Sequence, residues 1–281
     1  MTSYFRLLFR VSRPFLLPGV PLIFLLGVYL AGGSLSELSG VGMMQLFTLT
    51  LPLSILLYGL NDIFDFESDQ KNLLKGQGFG EALLPKHHDF IFKSASISGL
   101  FIILLSLYTG NVTNIILSLL MVILTFAYSV PPLRLKTKPP LDSLVSGLGY
   151  FFLPFALGFT YFLPLVQIPI EALLISIVVM GAHMYSSIRD YSYDRAAGEK
   201  TISVVFGKRP TALLAFVCVL IPLLYIAQTG GSVPAITFLS LASIISIVTI
   251  VWPNERFVSL SVRFLFLIVI ICTIWLLFLI R

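Results

Sequence analysis

The chain has 281 residues, of which 57% are hydrophobic and only 11% charged, with a formal net charge of +5. Soluble domains carry about 25% charged residues, so this composition excludes both a soluble globular domain and a disordered chain. A mean hydropathy of +0.99 leaves a polytopic membrane protein, for which the positive charge bears on topology and implies no nucleic-acid partner.

The apolar stretches are long, continuous and rich in Leu, Ile, Phe and Val, which calls for helices and not a β-barrel. The N-terminal segment carries Arg6, Arg10 and Arg13. The apolar run from Phe15 to Ala31 follows, with no cleavage-site pattern after it, and reads as a first helix and not a cleaved signal. At about 20 residues per span, nine helices are predicted. They cover roughly residues 15–33, 42–63, 90–110, 112–130, 142–165, 169–189, 210–228, 233–252 and 260–280. All 18 Lys and Arg except Arg281 then fall on the side of the N-terminus, which the positive-inside rule places in the cytoplasm. The expectation is an all-α polytopic membrane protein, a single domain over 1–281. Its nine transmembrane helices would form a bundle around a central cavity, N-terminus cytoplasmic, in the cell membrane. Cys218 and Cys272 lie in apolar stretches far apart and read as buried apolar side chains, not a disulfide or a metal pair.

Glu37 and Glu171 are the only acids in the outer links, whereas the inner loops at about 64–89, 131–141 and 190–209 are long and polar. Chemistry is therefore expected at the cytoplasmic face. The second helix runs into Asn61-Asp62-Ile63-Phe64-Asp65-Phe66-Glu67-Ser68-Asp69. If helical, Asp62, Asp65 and Asp69 stack on one face, where like charges repel. A bound divalent cation would remove that conflict. The sixth helix ends in Arg189-Asp190-Tyr191-Ser192-Tyr193-Asp194-Arg195, with Asp190 and Asp194 again on one face. Asp65-Phe66-x-x-Asp69 echoes Asp190-Tyr191-x-x-Asp194, which suggests an internal duplication with two acidic faces across one cavity.

Hard oxygen ligands in this number suit Mg²⁺. Arg134 and Lys136, then Arg195 and Lys200, accompany the acids, and acids with bases indicate an anion bridged by metals, such as a diphosphate. A lone Asp at a helix end is commonly solvated interface, but five in two stacked sets are not accounted for that way. Arg134, Lys136 and Lys138 also fit positive-inside anchoring. His87 and His88 lack ligand spacing and read as solvated, and His183, inside the sixth helix, fits either a core histidine or a site residue.

Asn61-Asp62-x-x-Asp65-x-x-x-Asp69, followed by Asp190-x-x-x-Asp194-Arg195-x-x-Gly198-x-Lys200-Thr201, resembles the UbiA family of intramembrane prenyltransferases. Tyr128-Ser129-x-Pro131-Pro132-Leu133-Arg134-Leu135-Lys136 and Arg13-Pro14 are similar to that family too. The resemblance implies Mg²⁺-dependent transfer of an isoprenyl group from an isoprenyl diphosphate donor to a lipophilic acceptor within the lipid bilayer. It assigns Asp62, Asp65, Asp69, Asp190 and Asp194 to metal–diphosphate binding, with Asn61 orienting the same group. Arg134 and Lys136 would hold the diphosphate, Lys200 lies in the second motif and binds substrate, and Tyr128 would line the site. The stretch Asp69-x-x-Asn72-x-x-Lys75-Gly76, then Gly80-Glu81-Ala82 and Pro85-Lys86-His87-His88, is similar to lycopene elongases, as is Pro140-Leu141-Asp142-Ser143-x-x-Ser146. Leu73 and Leu74 depart from the usual Pro-Arg there. The expected acceptor is a carotenoid or similar polyisoprenoid, with an aromatic quinone precursor of the 4-hydroxybenzoate type as the alternative.

The chemistry needs these residue types. Breaking an allylic C–O bond leaves a highly charged diphosphate, which metals and cations stabilise. The allylic cation must be kept from water in an aromatic-lined cavity, for which Tyr150, Phe151 and Phe152 are candidates. A CDP-alcohol phosphotransferase would place its acids in one continuous motif. A transporter would place ionisable groups near the bilayer midplane on broken helices. A non-catalytic family member would not need the full acid set.

Overall fold

The computed structural model describes residues 2–70 and 83–279, so the elongase-like positions Asn72 to Ala82 lie outside the described residues. Among the described residues the regular structure is entirely helical. In chain order the helices are α1 (Thr2–Val11), α2 (Gly19–Leu30), α3 (Gly40–Thr48), α4 (Leu51–Phe64), α5 (Phe66–Asp69), α6 (His88–Leu107), α7 (Val112–Ser129) and α8 (Leu141–Gly147). There follow α9 (Leu153–Phe159), α10 (Ile170–Arg189), α11 (Tyr191–Ala197), α12 (Ile202–Phe206), α13 (Lys208–Thr229), α14 (Val233–Val251) and α15 (Glu255–Leu279). Among the described residues, 7 helical segments are long and apolar enough to cross a membrane: Gly40–Phe64, Pro85–Leu107, Val112–Ser129, Leu141–Phe159, Ile170–Arg189, Lys208–Thr229 and Val233–Val251.

The expected first helix differs most. It is the 12-residue α2, and α1 precedes it where only a basic lead was read. The second expected helix is two pieces, α3 and α4, because Pro52 sits in the first turn of α4 and cannot donate a backbone hydrogen bond to the turn before it. A π-helical turn over Leu148–Phe152 joins α8 to α9.

The chain forms two compact units, residues 1–176 and 177–281, with the division inside α10. In the first, Phe24 and Val28 of α2 pack with Leu53, Leu56 and Leu60 of α4, Met121 of α7 and Leu153 and Leu157 of α9. The approach of α2 to α9 is backbone on backbone: a Cβ on Gly27 would strike the Phe155 carbonyl, and one on Gly158 the Phe24 carbonyl. Small residues at such crossings replace the hydrophobic drive that lipid does not supply.

Buried Gln45 ties three segments of this unit together. Its Nε2 donates to Asn114 Oδ1 (2.8 Å) and Ser118 Oγ (3.1 Å), and its Oε1 accepts from Asn114 Nδ2 (3.0 Å) and Tyr161 Oη (2.9 Å). The amide is thereby fully satisfied. In the second unit, Met184, Tyr185 and Ile188 of α10 pack with Ile202, Ala212, Ala215, Cys218 and Val258. Cys218 is buried and free, as its apolar context predicted; the Cys272 side chain lies outside the described set.

Candidate active site

The first acidic motif does not continue α4 as one straight helix. Asp65 breaks it, at φ −102° and ψ 2°, and α5 restarts with the Asp69 N–H bonded to the Asp65 carbonyl at 2.8 Å. Asp62, Asp65 and Asp69 are all buried, at 1%, 8% and 7% exposure, where an unpaired carboxylate would be costly. Cations meet that cost at Asp62 and Asp65. Arg13 Nη2 lies 2.9 Å from Asp62 Oδ1. Lys136 pairs with Asp65 Oδ1, and Arg134 Nη2 reaches the same oxygen at 3.2 Å and the Phe64 carbonyl at 3.3 Å.

Both arginines stand on left-handed backbone, Arg13 at φ 52° and Arg134 at φ 38°. That conformation is unfavourable for a residue with a Cβ, and such outliers gather where a site over-determines them. Each starts a tight turn, before Pro14 and Leu135 respectively, that aims its guanidinium back at the end of α4.

From Asp62 the contacts run inward. The Arg13 guanidinium lies 4.3 Å above the ring of buried Tyr58, whose hydroxyl hydrogen-bonds Tyr150. Tyr150 sits on the π-helical turn and lines a small apolar cavity of about 40 Å³ with Tyr128, Leu53, Leu57, Met121 and Leu124. Phe151 instead stacks on Phe155 at 5.8 Å, and Phe152 packs on the core. Of the three aromatics read as a cluster, only Tyr150 faces this cavity. Asn61 stands one residue before Asp62, and its carbonyl accepts the Asp65 N–H at 2.9 Å. Asp142, buried at 1% where α8 begins, folds its carboxylate onto the Ser143 N–H at 2.7 Å.

In the second unit, Asp190 separates α10 from α11 at φ −98° and ψ 4°. Arg189 grips it with two bonds, Nε to Oδ1 at 2.9 Å and Nη2 to Oδ2 at 2.7 Å. Asp194 Oδ2 accepts from Thr201 Oγ1 at 2.9 Å, which draws the segment after Gly198 back on α11. Two expected bases are not brought to these acids. Lys200 is exposed and forms no ion pair among the described residues, and Arg195 turns to the Tyr191 hydroxyl at 3.1 Å. Arg189, read only as a topology charge, takes that place.

No group of three or more His, Cys, Asp or Glu is gathered for metal binding among the described residues. Asp62, Asp65 and Asp190 are paired with cations instead. The donor set still suits a metal-bridged anion: hard oxygens beside Arg13, Arg134 and Lys136, with the buried Arg13 Nε lacking a hydrogen-bond partner among the described residues. Arg13 was legible only as part of the Arg13-Pro14 resemblance. His87 and His88, read as solvated, are half-buried; the His88 ring nitrogen lies 2.8 Å from the Leu83 carbonyl and its ring packs on Phe66.

An all-helical chain with several membrane-crossing segments, closing acids and bases over an apolar cavity, is an integral membrane protein built around a buried polar site. The chain belongs to the UbiA prenyltransferase family, whose model matches residues 20–270; it is a prenyltransferase of that family. Among its relatives is the C(50) β-cyclic carotenoids biosynthesis protein LbtBC of Dietzia sp., 30% identical over 75% of this chain. The chain spans about half, 48%, of that protein. The lycopene elongase/hydratase of Corynebacterium glutamicum is 30% identical over 79% of this chain and 76% of its own length, and that of Haloarcula japonica 33% over 75% and 70%. Two solved structures share the fold. A digeranylgeranylglyceryl phosphate synthase has TM-score 0.73 and 17% identity over 97% of this chain and 96% of its own. A UbiA homologue from Archaeoglobus fulgidus bound to DMAPP and Mg²⁺ has TM-score 0.67 and 15% identity over 93% and 98%.

Proposed function

We propose that the chain transfers an isoprenyl group from an isoprenyl diphosphate to a polyene acceptor of the lycopene type, with Mg²⁺. One observation carries the reading: the continuous run Asp62–Arg13–Tyr58–Tyr150, which joins a charged anion site to an apolar, tyrosine-lined cavity. The carotenoid relatives support the acceptor, and the Archaeoglobus homologue supports the donor and metal.

Asp62, Asp65, Asp69, Asp190 and Asp194 would hold Mg²⁺ through their oxygens. Bound there, the ion supplies Lewis-acid neutralisation of the diphosphate charge. Arg134 and Lys136, already poised over Asp65, bind the diphosphate oxygens, and Arg13 offers its Nε to the same anion. Asn61 orients the group and Lys200 contributes from the second motif. As the allylic C–O bond breaks, its electron pair leaves with the diphosphate, where these cations stabilise it. The carbon fragment keeps the positive charge. Tyr128 and Tyr150 present ring faces to it and keep water away. The acceptor double bond then attacks, forming the new C–C bond, and the cation this leaves on the acceptor is discharged by loss of an adjacent proton to solvent, which regenerates a double bond.

We read residues 1–281 as one functional domain of nine spans, with α2 and α15 completing the set, the N-terminus cytoplasmic and the site facing the cytoplasm in the cell membrane. The positive-inside distribution supports this. The test is to express the chain in lycopene-producing cells and weigh the extracted pigments. Masses raised by one or two C5 units are expected. Unchanged pigments with a prenylated 4-hydroxybenzoate-type acid would move the acceptor to the aromatic class.

A further inference from the structure

The N-terminal helix α1 is not used by this chemistry, yet its surface is organised. Its sequence, TSYFRLLFRV, contains no acid. At about 100° per residue, Leu7, Leu8 and Val11 share one face, and these pack on Ile63, Leu83, Phe90 and Ile91. Phe5 and Phe9, one turn apart, form a second stripe that is 68% and 46% exposed. Arg6 and Arg10, also one turn apart and exposed, form a third beside it. In water alone this pattern has no benefit, because it exposes two phenyl rings.

The placement of α1 gives the reason. It packs across Ile63, at the end of α4 that carries the acids, and across Phe90 and Ile91, at the start of α6. Tyr4 rests on Phe90 with centroids 4.7 Å apart and meets His87 edge-on at 6.3 Å. The helix therefore packs against the ends of two spans. One residue past Val11 and Ser12, the same segment delivers Arg13 to Asp62.

We propose that α1 is an interfacial anchor: its Phe5–Phe9 stripe enters the acyl region of the membrane while Arg6 and Arg10 bind the headgroups of anionic phospholipids. A basic stripe beside an apolar one is the pattern of helices that lie in the plane of such a surface. Each arginine close to an anionic surface favours it about fivefold. The proposal stands on the geometry of α1 and does not depend on the reaction assigned to the site.

The test uses the full chain with Trp252 and Trp275 replaced by Phe and one reporter, Phe5→Trp or Phe9→Trp, in vesicles containing brominated lipid. Both reporters should be quenched more by bromine near the headgroup end of the acyl chain than near the bilayer centre. Brominated phosphatidylglycerol should quench better than brominated phosphatidylcholine, and Arg6→Gln with Arg10→Gln should cut that preference by up to about 25-fold. Water-like emission with no quenching from either reporter would overturn the proposal. So would quenching blind to the headgroup, or shielding that persists in detergent and rises with protein concentration, which would place a second copy on the stripe. Fluorescence needs no substrate, so these outcomes are separate from failure of the prenyltransferase reading.

Discussion

Asp65 and Asp190 adopt one backbone conformation, −102°/2° and −98°/4°, at equivalent points in the two acidic motifs. Each ends a long helix and opens a short one. Each carbonyl accepts from the N–H four residues on, Asp69 at 2.8 Å and Asp194 at 2.9 Å. Each carboxylate is held by a cation. The echo seen in the sequence thus extends to the backbone. If both serve one diphosphate, Asp65→Ala and Asp190→Ala should each lower turnover by about 10²-fold or more. The double variant should be little worse, because residues acting as a unit are non-additive. Labelled geranylgeranyl diphosphate in membranes gives the rates, and losses that multiply would assign the two motifs to separate ligands. Exposed Glu37, whose carboxylate accepts from Ser34 Oγ on the surface, is the control and should be neutral when changed to Ala.

If the same acids hold Mg²⁺, the reaction requires the metal. Lys136, Arg134 and Arg13 balance only part of an arriving diphosphate while they remain paired with Asp65 and Asp62. Activity should be lost in EDTA and restored by Mg²⁺, with Mn²⁺ as a substitute. Full turnover in metal-free buffer would remove the metal from the scheme.

Arg13 sets backbone strain against ion pairing. Left-handed backbone costs a residue with a Cβ about 1–2 kcal/mol, which Arg13→Gly relieves. Breaking a buried ion pair costs about 3–5 kcal/mol. The pairing term is larger, so Arg13→Gly should destabilise by about 2–3 kcal/mol in unfolding experiments in micelles. Placed on top of Asp62→Asn, where no buried charge is left behind, the same change should cost far less. Equal costs in both backgrounds would mean that the 2.9 Å pair contributes nothing to stability.

The contact of α2 with α9 admits no Cβ at Gly158, since the obstacle is the Phe24 carbonyl and not a side chain that can rotate away. Gly158→Ala should therefore force the helices apart and cost about 1–3 kcal/mol, the range of overpacked cores. Gly19, at the first position of α2 with nothing within 4 Å of a built Cβ, should accept Ala without loss.

How much of this was legible in the sequence varied with the kind of signal. Long apolar runs located most spans, because lipid admits few alternatives to a helix. The kinks did not show. Asp62, Asp65 and Asp69 fit helical spacing, and only the folded chain reveals that Asp65 interrupts the helix. Carboxylates were conspicuous in so apolar a chain, and Arg134 and Lys136 were read beside them, whereas two other cations that hold them, Arg13 and Arg189, were hidden among topology charges. Arg13 and Arg189 follow the positive-inside rule as well as Arg6 does. Lys200 was placed by its motif, yet Thr201 and not Lys200 meets Asp194. Helix α1 escaped notice because 10 residues with two arginines fail a test for spanning, although they suit a helix that lies along a surface.

The cavity lends itself to a test that reads the fate of the cation. Tyr150 contributes a ring to the cavity wall and a hydroxyl to Tyr58, which lies beneath Arg13. The two contributions separate by substitution. Tyr150→Phe keeps the ring and loses the hydrogen bond, worth about 1 kcal/mol, so turnover should fall no more than about fivefold. Tyr150→Ala removes the ring from a wall whose cavity is only about 40 Å³ and opens space that water can enter. Water then competes with the acceptor for the allylic cation, so free prenyl alcohol should rise relative to the elongated polyene even as total diphosphate release falls. Both products come from one organic extract and can be weighed together. If Tyr150→Ala lowers both in proportion, the ring binds substrate but does not exclude water, and the cation must be shielded elsewhere.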